Sequence, residues 1–135
     1  MSPGYSGTPL VKKLGLKVGM RVLVQGCPLP YDELVRDLPE GIVLLARGSA
    51  SVDAVHAFVR SASGLEAKLE KYRELVRPDG MIWISWPKRA SGLATDLSED
   101  VIRTSALKAG LVDVKVCAVD DTWSGLKLVI PIAKR

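Results

Sequence analysis

The sequence is poor in aromatic residues, histidine and cysteine, and it has no long apolar run. Only 5% of its 135 residues are aromatic, with one histidine and two cysteines. No apolar stretch approaches the roughly 18 residues of a membrane-spanning helix, and the N-terminus lacks the apolar segment of a secretory signal. Cys27 and Cys117 lie far apart, without the CxxC spacing of a metal site. We therefore expect a cytoplasmic protein with reduced thiols and no metal.

The charge balance is mildly basic, but the cations are dispersed. Lysine and arginine number 19 against 15 acidic residues, a net charge of +4 that favours an anionic partner. Local concentrations occur only at Lys12-Lys13-Lys17-Arg21 and at Lys88-Arg89. No helix-turn-helix, zinc finger or aromatic RNA-binding motif is visible. Nucleic-acid association through the basic N-terminal helix and arm is therefore kept only as an alternative.

The length suits one domain with a real hydrophobic core. We expect residues 1–135 to form that single domain, with residues 1–7, which are rich in Ser, Gly and Pro, as a flexible arm.

The chain is organised around the stretch PDGMIWISWPKRASG, from Pro78 to Gly92. Its apolar run, Met81 to Trp86, contains β-branched and aromatic residues and predicts a buried strand. Pro87, two cations and a turn of small residues follow. A central strand that ends in a polar loop is where α/β proteins usually hold their ligands.

The remaining segments alternate between helical and extended patterns. This order predicts an α/β, three-layer, Rossmann-like fold with a mostly parallel six-stranded sheet and an antiparallel C-terminal hairpin strand. The predicted helices cover 8–15, 31–38, 64–76 and 98–109, and the predicted strands cover 21–26, 42–46, 52–59, 81–86, 112–119 and 126–132.

Two resemblances rest on particular stretches. LGLKVGMRVLVQG, LVRPDGMIWISW and the terminal hairpin resemble the first, fifth and last two strands of the class I S-adenosylmethionine-dependent methyltransferase fold. The chain is also similar to an uncharacterised bacterial family of small proteins with a domain of unknown function. That similarity covers most of the chain through YSGTPLVKKLG, ISWPKRASG, ATDLSEDVIR and GLVDVKVCAVDDTWSGLKLVI.

The chain departs from the methyltransferase pattern where that fold holds its cofactor. The resemblance implies a Gly-rich turn after the first strand, but residues 26–30 read GCPLP; Gly26 and Cys27 are what remains of a cofactor turn. Ala46-Arg47 stands where the fold has a ribose-binding carboxylate, and residues 58–61 (FVRS) replace its catalytic polar motif. The interval from Ile42 to Val59 is one helix–strand unit too short. We therefore expect no cofactor bound in the usual way.

Ligands of parallel sheets lie beyond the carboxyl ends of the strands. We expect the turns at 26–31, 87–96 and 120–125 to converge there and to bind a small anionic or aromatic ligand, or a protein partner. The alternative is structural, with the two tryptophans packed against each other or against a neighbouring loop, and Lys88 and Arg89 paired with Asp120 and Asp121. The candidate ligand-binding residues are Trp86, Lys88, Arg89, Ser91, Asp120, Asp121, Trp123 and Ser124, with Cys27, Tyr31 and Lys127 nearby.

Other reactive side chains favour structural interpretations. Cys27 can act as a nucleophile only with a depressed pKa, and no base stands near it in sequence, so a packed thiol is favoured. His56 lies in an apolar strand and is predicted to be a hydrogen-bonded core residue. Ser49 and Ser51 in RGSAS can cradle a phosphate, although the loop lacks a Walker pattern. Cys117 is predicted to be structural.

The leading functional hypothesis is a non-enzymatic ligand- or partner-binding, regulatory module on a degenerate methyltransferase-like sheet. The alternatives are an atypical S-adenosylmethionine-dependent methyltransferase and a basic nucleic-acid-associated protein. The missing helix–strand unit exposes a sheet edge beside the second strand, so we also expect a homodimer.

Overall fold

The structure is a computed structural model that describes residues 7–48 and 51–135. All but Gly7 of the predicted arm, and Ser49, lie outside these residues. Four helices are present: α1 (Leu10–Leu14), α2 (Tyr31–Leu34), α3 (Leu65–Leu75) and α4 (Glu99–Lys108). The strands are β1 (Arg21–Gln25), β2 (Val43–Leu45), β3 (Val52–Phe58), β4 (Val76–Pro87), β5 (Val112–Ala118) and β6 (Trp123–Val129).

The six strands form one sheet in the order β2-β1-β3-β4-β6-β5. β1 pairs in parallel with β2 and β3, and β3 with β4, whereas β6 runs antiparallel to β4 and β5. The predicted mostly parallel sheet with a C-terminal hairpin is therefore confirmed. The carboxyl ends of β1 to β5 all lie along one side of the sheet, which we call the carboxyl edge.

A hydrophobic core lies on each face of the sheet. α3 and α4 cover one face, where Leu69, Ile102 and Ile84 are fully buried. The short helices α1 and α2 cover the other, which includes Leu14 and Trp83. The Trp83 indole N–H donates to the Leu14 carbonyl over 3.0 Å and fastens α1 to the sheet.

β2 is only partly covered. The continuous apolar run at 42–46 predicts a strand buried on both faces, and this prediction is wrong. β2 has only three residues, and Val43 and Leu44 are 46% and 40% exposed. The reason is its position: β2 is the terminal strand of the sheet, and no further strand flanks it among the described residues.

Three element boundaries also differ from prediction. α2 ends at Leu34 rather than Leu38, because Val35 is extended and Asp37 adopts a left-handed conformation. Helix α3 gives way to β4 directly at Val76, before the Pro78 turn. β6 begins at Trp123 rather than Leu126, because Asp120 closes a tighter turn.

None of the helices in the described part of the chain combines the length and hydropathy needed to cross a lipid bilayer. Within the same residues, no cluster of three or more His, Cys, Asp or Glu side chains is arranged to hold a metal ion.

Candidate functional site

The three turns predicted to converge do meet at the carboxyl edge. The Lys88 amide donates to the Thr122 carbonyl over 2.7 Å, which joins the turn after β4 to the β5–β6 turn. Asp120 lies close enough to Cys27 for its charge to raise the pKa of that thiol. The turns brought together are therefore those expected, but the interactions of their side chains differ from the predicted ones.

The turn after β1 is closed by backbone packing. Gly26 has φ +73°, and a Cβ built there would lie 2.6 Å from the Phe58 carbonyl oxygen of β3. A side chain is therefore excluded on two grounds, conformation and space. The glycine permits the close approach of β1 to β3 on this side, while the turn also lines a cavity described below.

Cys27 is a half-buried thiol beside that turn. Desolvation raises its pKa, the Leu29 backbone N–H opposes this shift, and Asp120 adds to it. A thiol with a raised pKa is mostly protonated near neutral pH and is a poor nucleophile. The interpretation of Cys27 as a packed thiol is thus supported. Burial likewise raises the pKa of Cys117 in β5.

The only histidine is committed to a buried hydrogen-bonded chain. The Tyr31 hydroxyl and His56 Nδ1 are 2.7 Å apart, and His56 Nε2 and Ser85 Oγ are also 2.7 Å apart. Phe58 stacks on the imidazole with ring centroids 4.4 Å apart. Desolvation lowers the His56 pKa to about 3, so the ring is neutral at pH 7. The predicted core histidine is confirmed, and neither ring nitrogen is left to act as a base for Cys27.

A cavity of about 300 Å³, the Tyr31 cavity, opens between the ends of β1 and β2. Its walls are mainly apolar, and the Tyr31 hydroxyl is already engaged with His56. The lining residues are Val24, Gly26, Cys27, Leu29, Tyr31, Leu44, Leu45 and Ala46.

The loop after β4 folds back over the end of β3. The Thr95 hydroxyl donates to the Arg60 carbonyl over 2.7 Å, and the Asp96 carboxylate accepts from the Ala62 amide over 2.8 Å. The Ser91 hydroxyl donates to the Lys88 carbonyl and tightens a 3₁₀ turn at Arg89–Ser91. Ser91 is therefore a turn residue, and its predicted ligand role stays a prediction.

This loop and the start of α4 enclose a second space of about 350 Å³, the Trp86 pocket. Thr95 accepts from the Leu97 amide and Ser98 caps α4, so both hydroxyls are in use. Trp86 and Arg89 have no hydrogen bond or ion pair to other side chains within residues 7–48 and 51–135. The lining residues are Trp86, Pro87, Arg89, Leu93, Thr95, Leu97, Ser98 and Glu99.

Of the two packings predicted for the tryptophans, their mutual contact is not formed. Trp86 packs on the face covered by α3 and α4, whereas Trp123 lies on the opposite face, edge-to-face with Phe58 at 5.3 Å. In the register between β4 and β6, Trp86 lies opposite Ser124, and Pro87 lies opposite Trp123. Side chains at neighbouring strand positions point to opposite faces, so the two tryptophans lie on different faces of the sheet.

The alternative ion pairs at this edge are not formed. Lys88 and Arg89 pair with no carboxylate in the part of the chain that the structure describes. The Asp120 carboxylate instead accepts from the Thr122 and Trp123 amides, both at 2.8 Å. Asp121 is exposed.

Lys127 lies away from the edge. It is opposite Trp83 in the middle of β6, where burial and the nearby Lys115 lower its pKa.

Sequence reasoning missed half of the Trp86 pocket. Leu93, Thr95, Leu97, Ser98 and Glu99 line it, but the sequence marks only Ser98, as a helix cap. The return of the loop depends on Thr95 and Asp96 bonding to residues more than 30 positions away. The small polar residues between Pro87 and Ser98 are the one signal that a folded loop was present.

With this geometry established, comparison with known proteins identifies the family. A family model described as "Protein of unknown function (DUF3052)" matches residues 31–132. The chain belongs to this family. Membership in DUF3052 brings no assigned activity, and no curated protein matches the sequence.

Solved structures confirm the fold of this DUF3052 member. The chain is similar to an S-adenosylmethionine-dependent methyltransferase from Aquifex aeolicus, with TM-score 0.61 and 18% identity over 90% of this chain and 88% of that one. The chain is also similar to the [4+2]-cyclase SpnF, with a TM-score of 0.63 and 12% identity over 91% of this chain and 79% of that one. A third similar chain comes from a Haloferax volcanii complex between the Trm112 methyltransferase activator and a protein described as a methyltransferase. Its TM-score is 0.65, with 12% identity over 90% of this chain and 86% of that one.

The residues of this chain do not fit the cofactor grip that the fold implies. The turn that would approach the cofactor has its one glycine packed against Phe58. Ala46, at the end of β2, offers no carboxylate for a ribose, and Tyr31 is held by His56. No methyl-transfer step is therefore derived for this chain.

Proposed function

We propose that this DUF3052 protein is a non-enzymatic binding module. The observation that carries the proposal is the lining of the Tyr31 cavity, which lies where the fold would hold a cofactor and contains no carboxylate or other charged side chain. Cys27 has a raised pKa and His56 is sequestered, so neither of these two side chains offers an activated nucleophile or a general base at the carboxyl edge.

The Trp86 pocket is the binding site that best suits this role. Trp86 and Arg89 are the side chains there whose donors have no partner among the described residues, while Leu93, Leu97 and Pro87 supply apolar walls. An indole N–H, a guanidinium and apolar surface together recognise a small anion that carries a flat apolar group. Trp86, Lys88 and Arg89 thus remain proposed ligand residues.

A titration with sodium benzoate, followed by two-dimensional amide NMR, tests the pocket. We expect the Trp86 indole resonance and amides 88–99 to shift, and Arg89→Gln to weaken binding about tenfold by removing a charge-assisted hydrogen bond. Lys68→Gln, which removes an exposed cation of α3, is the matched control and should bind as the parent does. Shifts confined to other surfaces, or equal losses in both variants, would contradict the site.

A calorimetric titration with S-adenosylmethionine tests the non-enzymatic part of the proposal. No detectable heat up to millimolar ligand is expected, because the Tyr31 cavity beside Gly26 offers no carboxylate for a ribose and no charged side chain. Binding at micromolar affinity, abolished by Ala46→Trp in the Tyr31 cavity, would overturn the proposal in favour of an atypical methyltransferase.

We further propose that β2 is covered by a second copy of the chain. Its exposed Val43 and Leu44 form an apolar sheet edge, which natural proteins usually protect. One of the similar solved chains comes from a complex with an activator protein, which supports protein binding as a use of this fold.

Sedimentation equilibrium at micromolar concentration tests this association. We expect a dimer that Leu44→Lys converts to monomer. Val116→Lys, at the exposed strand β5 on the opposite side of the sheet, is the control and should remain dimeric. A monomeric parent protein would contradict the homodimer.

A further inference from the structure

A third cavity, the Arg73 cavity, lies at the end of the sheet opposite the carboxyl edge. It has a volume of about 390 Å³ and forms where α3 ends, β4 begins and the C-terminal 3₁₀ turn returns. β4 separates it from the Trp86 pocket by roughly 30 Å, the length of a strand of this size. The lining residues are Ser51, Arg73, Glu74, Val76, Arg77, Pro78, Ile130, Lys134 and Arg135.

The cavity is lined by four cations and one acid. Arg77 is partly neutralised, because it contacts Asp53 at 3.3 Å and Asp79 at 4.0 Å. Arg73, Lys134 and Arg135 form no ion pair within residues 7–48 and 51–135. Three unpaired cations from two separate elements therefore face one small volume, which attracts a multiply charged anion.

Arg73 is held in place but left unsatisfied. Its Nε is buried and has no hydrogen-bond partner among the described residues. Gly110 approaches it closely: a Cβ at that position would lie 3.3 Å from Nε. Buried donors are almost always bonded. Gly110 is not a lining residue of the Arg73 cavity, so a ligand there would contact the terminal nitrogens of Arg73 and not its Nε.

The other lining groups restrict the class of ligand. Ser51, with a left-handed φ of +62°, belongs to the RGSAS loop whose serines suit a phosphate. Val76, Pro78 and Ile130 form an apolar surface beside the cations. A cation cluster with a hydroxyl suits phosphate oxygens, and the apolar surface suits an organic group attached to them.

We propose that the Arg73 cavity binds a small organic phosphate, with its phosphate at Arg73, Lys134 and Arg135 and its organic part against Val76, Pro78 and Ile130. A nucleic acid fits less well. The cations surround a confined cavity, and the acidic Glu74 and Asp79 border it, so an extended polyanion would meet repulsion there.

Calorimetric titration of the full chain with phenyl phosphate, beside inorganic phosphate, tests the proposal. We expect phenyl phosphate to bind about tenfold more tightly than inorganic phosphate, because only the ester reaches the apolar surface. Equal affinity for both would overturn the organic part of the proposal.

Two variants and a control locate the site. Arg73→Gln and Lys134→Gln should each weaken phenyl phosphate binding about tenfold, as expected for loss of one charge-assisted hydrogen bond. Lys134 is exposed and has no side-chain contact that its loss would break, so this variant keeps the fold. Lys108→Gln, on the exposed side of α4, is the matched control and should bind normally.

Three results would overturn the proposal: no heat up to about 10 mM phenyl phosphate, an equal loss in Lys108→Gln, or amide shifts confined to residues 86–99. Tighter binding of a single-stranded oligonucleotide that Lys134→Gln weakens would assign the basic surface to nucleic acid instead. Because the two cavities lie at opposite ends of β4, failure here is distinguishable from failure of the benzoate test.

Discussion

At the scale of single residues, the buried polar groups His56 and Ser85 stabilise the fold through hydrogen bonds. His56 is 1% exposed and Ser85 is fully buried, and each has a partner within 2.7 Å. Gly26 likewise serves a contact between two strands. These positions combine the residue types of an active site with the surroundings of a core, which explains why the sequence alone left several roles open.

The buried histidine should make stability depend on pH. Its folded pKa of about 3 lies below the ordinary value of 6.5, so the unfolded chain binds more protons between these limits. The stabilisation is complete above pH 6.5 and is lost as the pH falls towards 3. In urea unfolding at pH 7.5, 6.5, 5.5 and 5.0, the free energy of unfolding should decline below pH 6.5 by an amount approaching about 1.4 kcal/mol per pH unit.

Because His56 is the only histidine, His56→Asn provides the control. This variant should be less stable at pH 7.5 but should lose most of the slope between pH 6.5 and 5.0. An unchanged slope would show that another group titrates there.

Gly26→Ala should be far more costly than an alanine at another left-handed glycine. A left-handed alanine costs about 1 kcal/mol, and the contact with the Phe58 carbonyl should raise the total to about 3 kcal/mol. Gly64→Ala, with φ +72° and nothing within 4 Å, isolates the conformational part. Equal losses of unfolding free energy in the two variants would show that the close approach to β3 has no energetic weight.

At the scale of elements, β4 joins both cores. One of its faces packs under α3 and α4 through Ile82, Ile84 and Trp86, and the other contacts α1 through Met81 and Trp83. Helix α1 has only five residues, too few to be stable in isolation, so its position depends on contacts such as that between Trp83 and Leu14.

Trp83→Phe should therefore loosen α1 specifically. The loss of a buried hydrogen bond and of ring volume is expected to cost about 2 kcal/mol, and the amides of Gly15 and Leu16 should exchange faster with solvent. Trp123→Phe is the matched control, because its indole makes no hydrogen bond within the described residues. Equal acceleration at Gly15 in both variants would contradict a specific anchor.

Sequence patterns predicted the elements well and the site only in part. The helices predicted over 64–76 and 98–109 are confirmed as α3 and α4, within one residue at each end. The exposure of β2 could not be predicted, because an apolar run looks the same in a central strand and at an uncovered end. Trp86 and Trp123 lie on opposite faces because of the register between β4 and β6. The sequence did not predict that register, because β6 begins three residues earlier than expected.

At the scale of the whole molecule, the two faces of the sheet are unequally covered. Two helices of 11 and 10 residues lie on one face, and two of five and four residues on the other. The terminal strand β2 is also partly exposed. We infer that the protein opens locally from this side before it unfolds globally.

Native-state hydrogen exchange under low denaturant should show this order. Amides at the centre of β3 and β4, such as Val55 and Ile84, should exchange only through global unfolding, whereas Val43, Leu44 and α1 should exchange at markedly lower free energy. Dimer formation through β2 would raise protection at Val43 and Leu44 with protein concentration, so the experiment should be repeated at two concentrations. Uniform protection across both faces would contradict local opening.

The closed contact between Gly26 and Phe58 sets a rule for redesign. Richer glycine content in residues 27–30 would loosen only the outer part of that turn, since the obstruction belongs to the neighbouring strand and is made of main chain, which no substitution removes. An engineer who wished to install a nucleotide-type cofactor would have to leave that contact intact and add a ribose-binding carboxylate near Ala46, at the end of β2.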